Sequence, residues 1–181
     1  MRNETRLKLI TICSAILLFG SGFAIAGTWT TLDCPGARDT QPQDIDGSNI
    51  VGQLWGDSDY SGNTHGFLYD GSNWTILDYP GARSTSAKGI SGNNIIGNWV
   101  DSTNHSHGFL YNGTTWTNFD DSYLDGIDGS NIVGFNSNLG GFLYNGITWT
   151  RLRRPGAADT SVTGISGSNI IGVGIYDDGS H

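Results

Sequence analysis

Aspartate is the residue type in this sequence that could carry acid–base chemistry, and one group of aspartates is close-spaced. The group comprises Asp120, Asp121, Asp125 and Asp128. Two carboxylates can hydrolyse a glycosidic bond when they flank it at a set separation. Adjacent side chains of a strand point to opposite faces, so Asp120 and Asp121 would not act together if the strand continues through them. We interpret the group as a solvated acidic loop and predict no catalytic residue.

A second aspartate-rich segment resembles the opening of a calcium-binding loop. Its sequence is Asp57-Ser58-Asp59-Tyr60-Ser61-Gly62. Oxygen ligands at alternate positions followed by glycine suit a hard cation, but Leu68 stands where such a loop carries its glutamate. Aspartate-rich hairpin loops are also common without metal. The sequence leaves open whether the Asp57–Asp59 loop binds calcium.

The histidines are the other candidate metal ligands. His65, His107 and His181 share one position of a repeat, and His105 precedes His107 by two residues. A metal site needs three or four converging ligands, and the third copy of the repeat has Gly140 in place of histidine. We therefore interpret each histidine as a residue at the start of a strand, and we predict no metal and no cofactor.

Cysteine chemistry is limited to one residue once the N-terminal segment is set aside. Cys34 precedes Pro35, and the equivalent repeat positions hold Tyr79 and Arg154. A position that accepts Cys, Tyr and Arg indicates an exposed turn, and no base is placed beside Cys34 by the sequence. We predict neither a nucleophile nor an intramolecular disulfide.

Charge argues against nucleic acid as a partner. The 181 residues carry 9 Lys and Arg against 17 Asp and Glu, a net charge of −8. The basic knot Arg151, Arg153 and Arg154 is isolated in this acidic chain, and we expect it to pair with aspartates of a neighbouring repeat. Phosphate-backbone binding depends on an extended basic surface, which is missing.

The N-terminus predicts export. Arg2, Arg6 and Lys8 precede an uncharged run over 9–26, and Ala24-Ile25-Ala26 is a small-x-small cleavage site. We predict a signal peptide over 1–26, a mature repeat domain over 27–181, and no stable membrane span after cleavage. The mature chain carries a net charge of −10 and every acid in it is aspartate, which favours turns over helices.

Internal repetition decides the expected architecture. Four motifs recur: Gly-Phe-Leu-Tyr at 66–69, 108–111 and 141–144; Trp-Thr at 29–30, 74–75, 116–117 and 149–150; Pro-Gly-Ala at 35–37, 80–82 and 155–157; Asn-Ile-Ile/Val-Gly at 49–52, 94–97, 131–134 and 169–172. The steps between tryptophans are 45, 42 and 33 residues. We delimit repeats at about 29–73, 74–115, 116–148 and an incomplete 149–181.

Each repeat predicts four short strands. In the second, one strand ends at Ile90 and the others cover 94–100, 107–111 and 116–119, with type I′ hairpins expected at Asp70-Gly71, Asn112-Gly113 and Asn145-Gly146. Gly-Phe-Leu-Tyr is apolar on both strand faces, which suits a sheet between two neighbours.

We predict an all-β, propeller-like array of about 3.5–4 four-stranded antiparallel blades. The alternatives are a β-solenoid and an irregular β-sandwich. Because the last repeat breaks off inside a motif, the array is either a four-bladed ring with a defective last blade or a truncated array, and we favour truncation.

The repeat resembles the HAF-type extracellular repeat of bacteria. The resemblance rests on His65-Gly66-Phe67-Leu68-Tyr69, on Asp78-Tyr79-Pro80-Gly81-Ala82, and on Gly89-Ile90 through Ile95-Ile96-Gly97. Gly66, Gly108 and Gly141 stand where the family name implies alanine. The resemblance implies a secreted protein with a propeller-like fold, and it carries over no catalytic residue.

Three functional hypotheses follow. The first is a secreted, non-catalytic repeat module that serves as an interaction scaffold or an envelope or matrix component. The second is a glycan-binding propeller in which Trp74, Trp116 and Trp149 stack on sugars beside Asn73, Thr115 and Thr148. The third is a hydrolase or lyase built on the loops. We favour the first, with a protein or glycan as partner.

Overall fold

The computed structural model describes residues 9–12, 28–56 and 63–176, and within these ranges the chain forms strands and turns without a helix. The all-β prediction is confirmed. The strands are β1 Leu9–Ile12, β2 Thr28–Thr31, β3 Asp39–Asp46, β4 Asn49–Trp55, β5 Thr64–Tyr69, β6 Trp74–Leu77, β7 Ser84–Ser91, β8 Asn94–Val100, β9 Ser106–Tyr111, β10 Trp116–Phe119, β11 Ser122–Asp128, β12 Asn131–Asn136, β13 Gly140–Tyr144, β14 Trp149–Arg151, β15 Asp159–Ser166 and β16 Asn169–Ile175. None of the described residues belongs to a helix able to cross a membrane.

The strands form antiparallel sheets in chain order. The first sheet contains β3 to β6, the second β7 to β10, the third β11 to β14, and the fourth β15 and β16. Strand β2 pairs with β1, which lies inside the predicted signal peptide. The predicted four-stranded units are therefore present in three complete sheets.

The glycine of Asn-Ile-Ile/Val-Gly brings the first two strands of every sheet together. Gly97 lies opposite Ala87, where the register shifts by one residue in a β-bulge. A Cβ on Gly97 would stand 2.1 Å from the Ser86 carbonyl oxygen, and the Phe109 ring closes the other side. The same bulge recurs in the other three sheets, opposite Gly52, Gly134 and Gly172. Any larger residue would push the strands apart.

Gly-Phe-Leu-Tyr buries both faces of the third strand, as its composition predicts. In the second sheet Phe109 is buried in the apolar cluster shared with the first sheet, whereas Leu110 packs into the cluster shared with the third sheet. The preceding Gly108 has the Leu124 side chain within 2.6 Å of where a Cβ would stand, which explains why glycine and not alanine occupies this position.

The turn after the third strand differs from the prediction. Gly71, Gly113 and Gly146 have positive φ, but Asp70, Asn112 and Asn145 do not, so these turns are not type I′. Instead Asp70 Oδ1 accepts hydrogen bonds from the backbone N–H groups of Ser72 and Asn73, at 2.8 and 2.6 Å. These side-chain hydrogen bonds hold a loop that is longer than the predicted two-residue hairpin.

Successive sheets stack through their first strands. β7 packs against the first sheet, β11 against the second and β15 against the third, and the four first strands β3, β7, β11 and β15 follow one another side by side. Among the strands that the structure describes, no sheet closes on itself. The coarse architecture is a stack of antiparallel sheets, and a propeller is not confirmed.

Candidate functional site

The four first strands line one cavity of about 420 Å³, which we call the axial cavity. The β-bulges position its side chains. The bulge residues Gln43, Lys88 and Asp125 come from three different sheets and all lie on the cavity wall. A bulge re-aims a side chain that regular pleating would direct into a sheet-to-sheet contact.

Most carboxylates on this wall are engaged by backbone of the next sheet. Asp44 Oδ2 accepts a hydrogen bond from the Ile90 N–H at 2.8 Å, and Asp46 Oδ2 accepts one from the Gly92 N–H at 2.6 Å. Asp128 accepts from the Gly167 N–H in the same way. These aspartates join neighbouring sheets and have less capacity left for a ligand.

Asp125 is the exception on the cavity wall. Burial raises the pKa of its carboxyl above the ordinary value, and the positive charge of Lys88 opposes part of that rise. A half-buried carboxyl beside an ammonium group can bind a polar ligand or exchange a proton. Sequence reasoning missed Lys88; the signal was that the bulge position varies among copies as Gln43, Lys88, Asp125 and Thr163.

The acidic group is split between two places. Asp120 and Asp121 form the turn before β11, and Asp121 has a φ of 53°. Asp125, in the middle of β11, and Asp128, at its end, lie on the axial cavity. No strand continues through Asp120 and Asp121. The four carboxylates therefore do not share one site.

The histidines pair with aspartates inside their own sheets. His65 Nδ1 is hydrogen-bonded to Asp78 Oδ1 at 2.9 Å, whereas His107 Nδ1 lies 3.3 Å from Asp120 Oδ1 without forming a hydrogen bond. In the third copy both partners are replaced, by Gly140 and Arg153. The joint replacement indicates that the pair acts as one structural unit. His181 lies outside the described residues.

Cys34 shares a cavity of about 310 Å³ with His65 and Asp78, a proximity that the sequence did not reveal. Leu54 stands on the same wall, at the repeat position of Trp99, which in the second sheet stacks between Tyr79 and His107. Burial also raises the pKa of the Cys34 thiol, the opposite of what activates a nucleophile. The arrangement does not supply a cysteine–histidine dyad.

The Cys34 position serves the fold through its backbone. The Cys34 N–H donates to Thr40 Oγ1 at 3.0 Å, and Tyr79 and Arg154 donate to the equivalent threonines at 3.0 and 2.8 Å. The side chain is half-buried against Ile50, Leu54 and Phe67 and is not the exposed turn residue that we expected. This backbone role is common to three copies of the repeat, which explains why three different side chains are accepted there.

The Asp57–Gly62 segment lies outside the described residues, but its counterpart in the second sheet is visible. Asp101 Oδ1 accepts hydrogen bonds from the Thr103 N–H at 2.7 Å and the His105 N–H at 2.9 Å, and these hold the pKa of Asp101 well below its usual range. Its carboxylate organises the loop. Across the described ranges, no three His, Cys or Asp side chains group as a metal requires.

The tryptophans proposed for sugar stacking are packed in aromatic clusters. The ring centroids of Trp74 and Phe67, and of Trp116 and Phe109, are 5.0 Å apart. Trp149 contacts Phe142 with a centroid separation of 4.6 Å and is the most exposed of the three, at 43%. Their rings contribute to the sheet faces, as expected for core aromatics.

The basic knot does not pair with aspartate in the described part of the chain. Arg153 Nε donates to the Ala157 carbonyl at 3.0 Å, and the Arg154 guanidinium lies 5.7 Å from the Tyr176 ring centroid. The expectation of aspartate partners from a neighbouring repeat is therefore not met where the structure describes these residues.

Large exposed apolar side chains occur at both ends of the sheet stack. At one end they are Ile171, Val173 and Ile175 of β16; at the other is Ile45 of β3, on a cavity of about 610 Å³. A group of exposed aliphatic residues marks an interaction surface more often than scattered single ones do.

Comparison of this chain with protein-family models, with curated proteins and with solved structures finds no match in any of the three.

Proposed function

We propose that this protein is an exported, non-catalytic repeat module that binds protein chains through the exposed ends of its sheet stack. The carrying observation is a contrast at one repeat position. Val51, Ile96 and Val133 are fully buried between sheets, whereas their equivalent Ile171 is 66% exposed. Removing aliphatic surface of this kind from water lowers the free energy, so burying Ile171 against a partner would favour binding.

The chemistry of the other candidate groups supports the non-catalytic part of the proposal. Aspartates 44, 46 and 128 accept backbone hydrogen bonds between sheets. His65 pairs with Asp78 inside the first sheet. Groups engaged in this way hold the structure together, and a catalytic site would need them free to meet a substrate.

Crosslinking in the producing cells tests the interaction. A photoreactive amino acid is placed at Ile171, with Ile147 as the matched control because it is 85% exposed on the hairpin between β13 and β14 of the third sheet. We expect a covalent adduct of discrete mass from position 171 and none from position 147. Equal labelling at the two positions, or no adduct at either, would contradict the proposal.

Export is tested separately by the intact mass of the protein recovered outside the cells. Cleavage between Ala26 and Gly27 removes 1–26, including β1, and keeps β2. A recovered mass that still includes residues 1–26 would argue against export by signal cleavage.

For the finer architecture we propose a propeller-like arrangement, in keeping with the resemblance to HAF-type repeats. Its support is the single axial cavity shared by β3, β7, β11 and β15. Strands of a straight solenoid would run parallel to one another without converging on a common cavity. An experimental structure with the first strands in a straight row would rule the proposal out.

A polar ligand in the axial cavity is the second candidate function, favoured by the half-buried Asp125 beside Lys88. This cavity is a better place for a glycan than the packed tryptophans. Saturation-transfer NMR with a panel of oligosaccharides tests it. Binding that survives Lys88→Gln and Asp125→Asn unchanged, or no binding at all, would count against it.

A further inference from the structure

The two ends of the sheet stack carry complementary halves of a contact that the chain builds three times internally. We name Ile171, Val173 and Ile175 the tail face, and the 610 Å³ cavity around Ile45, Ile50 and Tyr69 the head pocket. We propose that the tail face of one copy packs into the head pocket of a second copy. The inference rests on the proposed interaction function and identifies the partner as this same chain.

The internal contacts show what covers a tail face. Ile96 of the second sheet is fully buried in the cluster that contains Ile127, which belongs to the first strand of the third sheet. Val51 is buried with Ile90 in the same way. In each case an isoleucine of the next first strand closes over the residue equivalent to Ile171. Ile45 is that isoleucine in the first sheet, and it is 53% exposed where Ile90 is 5% exposed.

The head pocket has the residues that receive a preceding sheet. Ile50 and Tyr69 occupy the repeat positions of Ile95 and Tyr111. Those two residues pack in the cluster that contains Val51 and Leu68 of the preceding sheet. Leu32, which follows β2 and stands at the repeat position of Leu77, already lines the head pocket and packs with Ile50. Ile45 still lacks a covering strand, so the aliphatic side chains of a β4-type or β16-type strand fit this pocket.

The polar groups at the two ends also match. Asn98 of the second sheet accepts a hydrogen bond from the Leu124 N–H at 2.9 Å and donates to the Leu124 carbonyl at 3.3 Å. At the ends, Val173 replaces Asn98 and Pro42 replaces Leu124. Valine offers no acceptor and proline has no N–H, so a tail-to-head contact leaves no amide donor unpaired at this point.

A recurring hydrogen bond fixes the register of the contact. Gly92 N–H donates to Asp46, and Gly129 N–H donates to Ser91 Oγ at 2.9 Å, across successive sheets. Ser166 and Gly47 are the acceptor and donor at the corresponding positions of the two ends. In the proposed contact the Gly47 N–H of one copy donates to Ser166 Oγ of the other.

The geometry favours a closed assembly. A tail-to-head contact joins different surfaces, so it produces a ring if the rotation closes and a fibre if it does not. All four first strands of this chain border one axial cavity, so the stack curves around that cavity. We expect the contact to continue the curvature and give a discrete oligomer.

Sedimentation of the purified protein with three variants tests the proposal. The sample is kept reduced so that a Cys34 disulfide does not mimic association, and its N-terminus is read by intact mass. We expect the unmodified chain to self-associate, and Ile171→Asp and Ile45→Asp each to weaken association at least about 30-fold by removing a central apolar contact. Ile147→Asp, on the hairpin tip, should associate like the unmodified chain.

Mixing the two end variants separates this contact from a symmetric one. The Ile45→Asp chain keeps its tail face and the Ile171→Asp chain keeps its head pocket, so the mixture should form a complex with one copy of each. An unmodified chain that stays monomeric, or an Ile45→Asp variant that associates by itself, would overturn the proposal. If the chain is monomeric while position 171 crosslinks to a different protein, the proposed function stands and this inference fails.

Discussion

Single residues in this protein contribute mainly through close backbone packing and backbone hydrogen bonds. One position shared by all four copies is that of Gly97, where a Cβ would collide with the neighbouring strand. Thr85, which accepts the Tyr79 N–H, recurs as threonine in three copies, and the third copy has Ser122 there. The bulge position varies among copies, and its residues Lys88 and Asp125 lie on the axial cavity. Repetition thus separates residues that build the sheet from residues that are free to do something else.

At the residue scale, Asp125→Asn should stabilise the protein at neutral pH. The folded-state pKa of Asp125 is raised above its unfolded value, so ionising it costs stability as the pH rises through the folded pKa. Asparagine removes that cost. Unfolding in urea at a series of pH values should show the gain at neutral pH and its disappearance below about pH 4, where the unfolded carboxyl is protonated as well. The exposed Asp121→Asn is the control, and a neutral-pH loss with Asp125→Asn would contradict the argument.

Gly97→Ala tests the close approach of two strands. The new methyl group would stand 2.1 Å from the Ser86 carbonyl oxygen, so the strands must shift. We expect a loss of about 1–3 kcal/mol in the free energy of unfolding, typical of overpacking. Gly56→Ala is the matched control because the nearest atom, His65 Nε2, is 3.8 Å away. Equal effects of the two substitutions would show that the close approach is unimportant.

Elements are joined by a repeated polar contact at the turn after each first strand. The side chain of the residue before each turn glycine accepts a hydrogen bond from the N–H of the turn glycine in the next sheet. Ser91 Oγ accepts one from the Gly129 N–H in this way. This contact aligns neighbouring sheets, while the aliphatic clusters supply most of the burial. The two contributions differ in kind, since hydrogen bonds set direction and apolar packing does not.

At the element scale, Ser91→Ala should lower the free energy of unfolding by about 0.5–1.5 kcal/mol, the usual net contribution of one hydrogen bond. Ser166 occupies the same repeat position in the fourth sheet, and its hydroxyl oxygen accepts no hydrogen bond from another described residue. Ser166→Ala is therefore the matched control. Measured by urea unfolding below the concentration of association, Ser166→Ala should have little effect. A similar loss for both would mean that the serine acts within its own sheet.

The whole molecule behaves as a stack in which one repeat position is covered by the next sheet in β4, β8 and β12 and is exposed in β16. Ile96 and Ile171 occupy the same repeat position, yet one is completely buried and the other is two-thirds exposed, at 66%. Their difference comes from neighbours and has no counterpart in the local sequence. Stacks of this kind gain stability from each neighbouring interface.

At the scale of the molecule, Ile96→Ala should cost about 2–5 kcal/mol, as expected for a large buried aliphatic residue. Ile171→Ala should change the free energy of unfolding by less than about 0.5 kcal/mol in dilute monomer. Urea unfolding at low protein concentration compares the two. A large loss from Ile171→Ala in the monomer would place Ile171 inside a core and would remove the basis of the tail face.

Strand positions, the repeated four-stranded unit and the burial of both faces of Gly-Phe-Leu-Tyr followed from the sequence alone. They are local properties, since alternating apolar residues and turn glycines act within a few residues of each other. The predicted strand over 94–100 matches β8, and the one over 116–119 matches β10. The turn at Asn112 was missed because its side-chain acceptor competes with the backbone geometry that Asn-Gly otherwise favours.

Only the tertiary structure decided which separated residues meet. The β-bulges brought Lys88 and Asp125 to one cavity, and sheet packing placed Cys34 near His65 with Leu54 on the same wall. The sequence by itself determined the period of the chain, because each repeat encodes its own strands. It did not determine how neighbouring sheets pack or which faces stay uncovered, because these depend on contacts between repeats that local patterns do not encode.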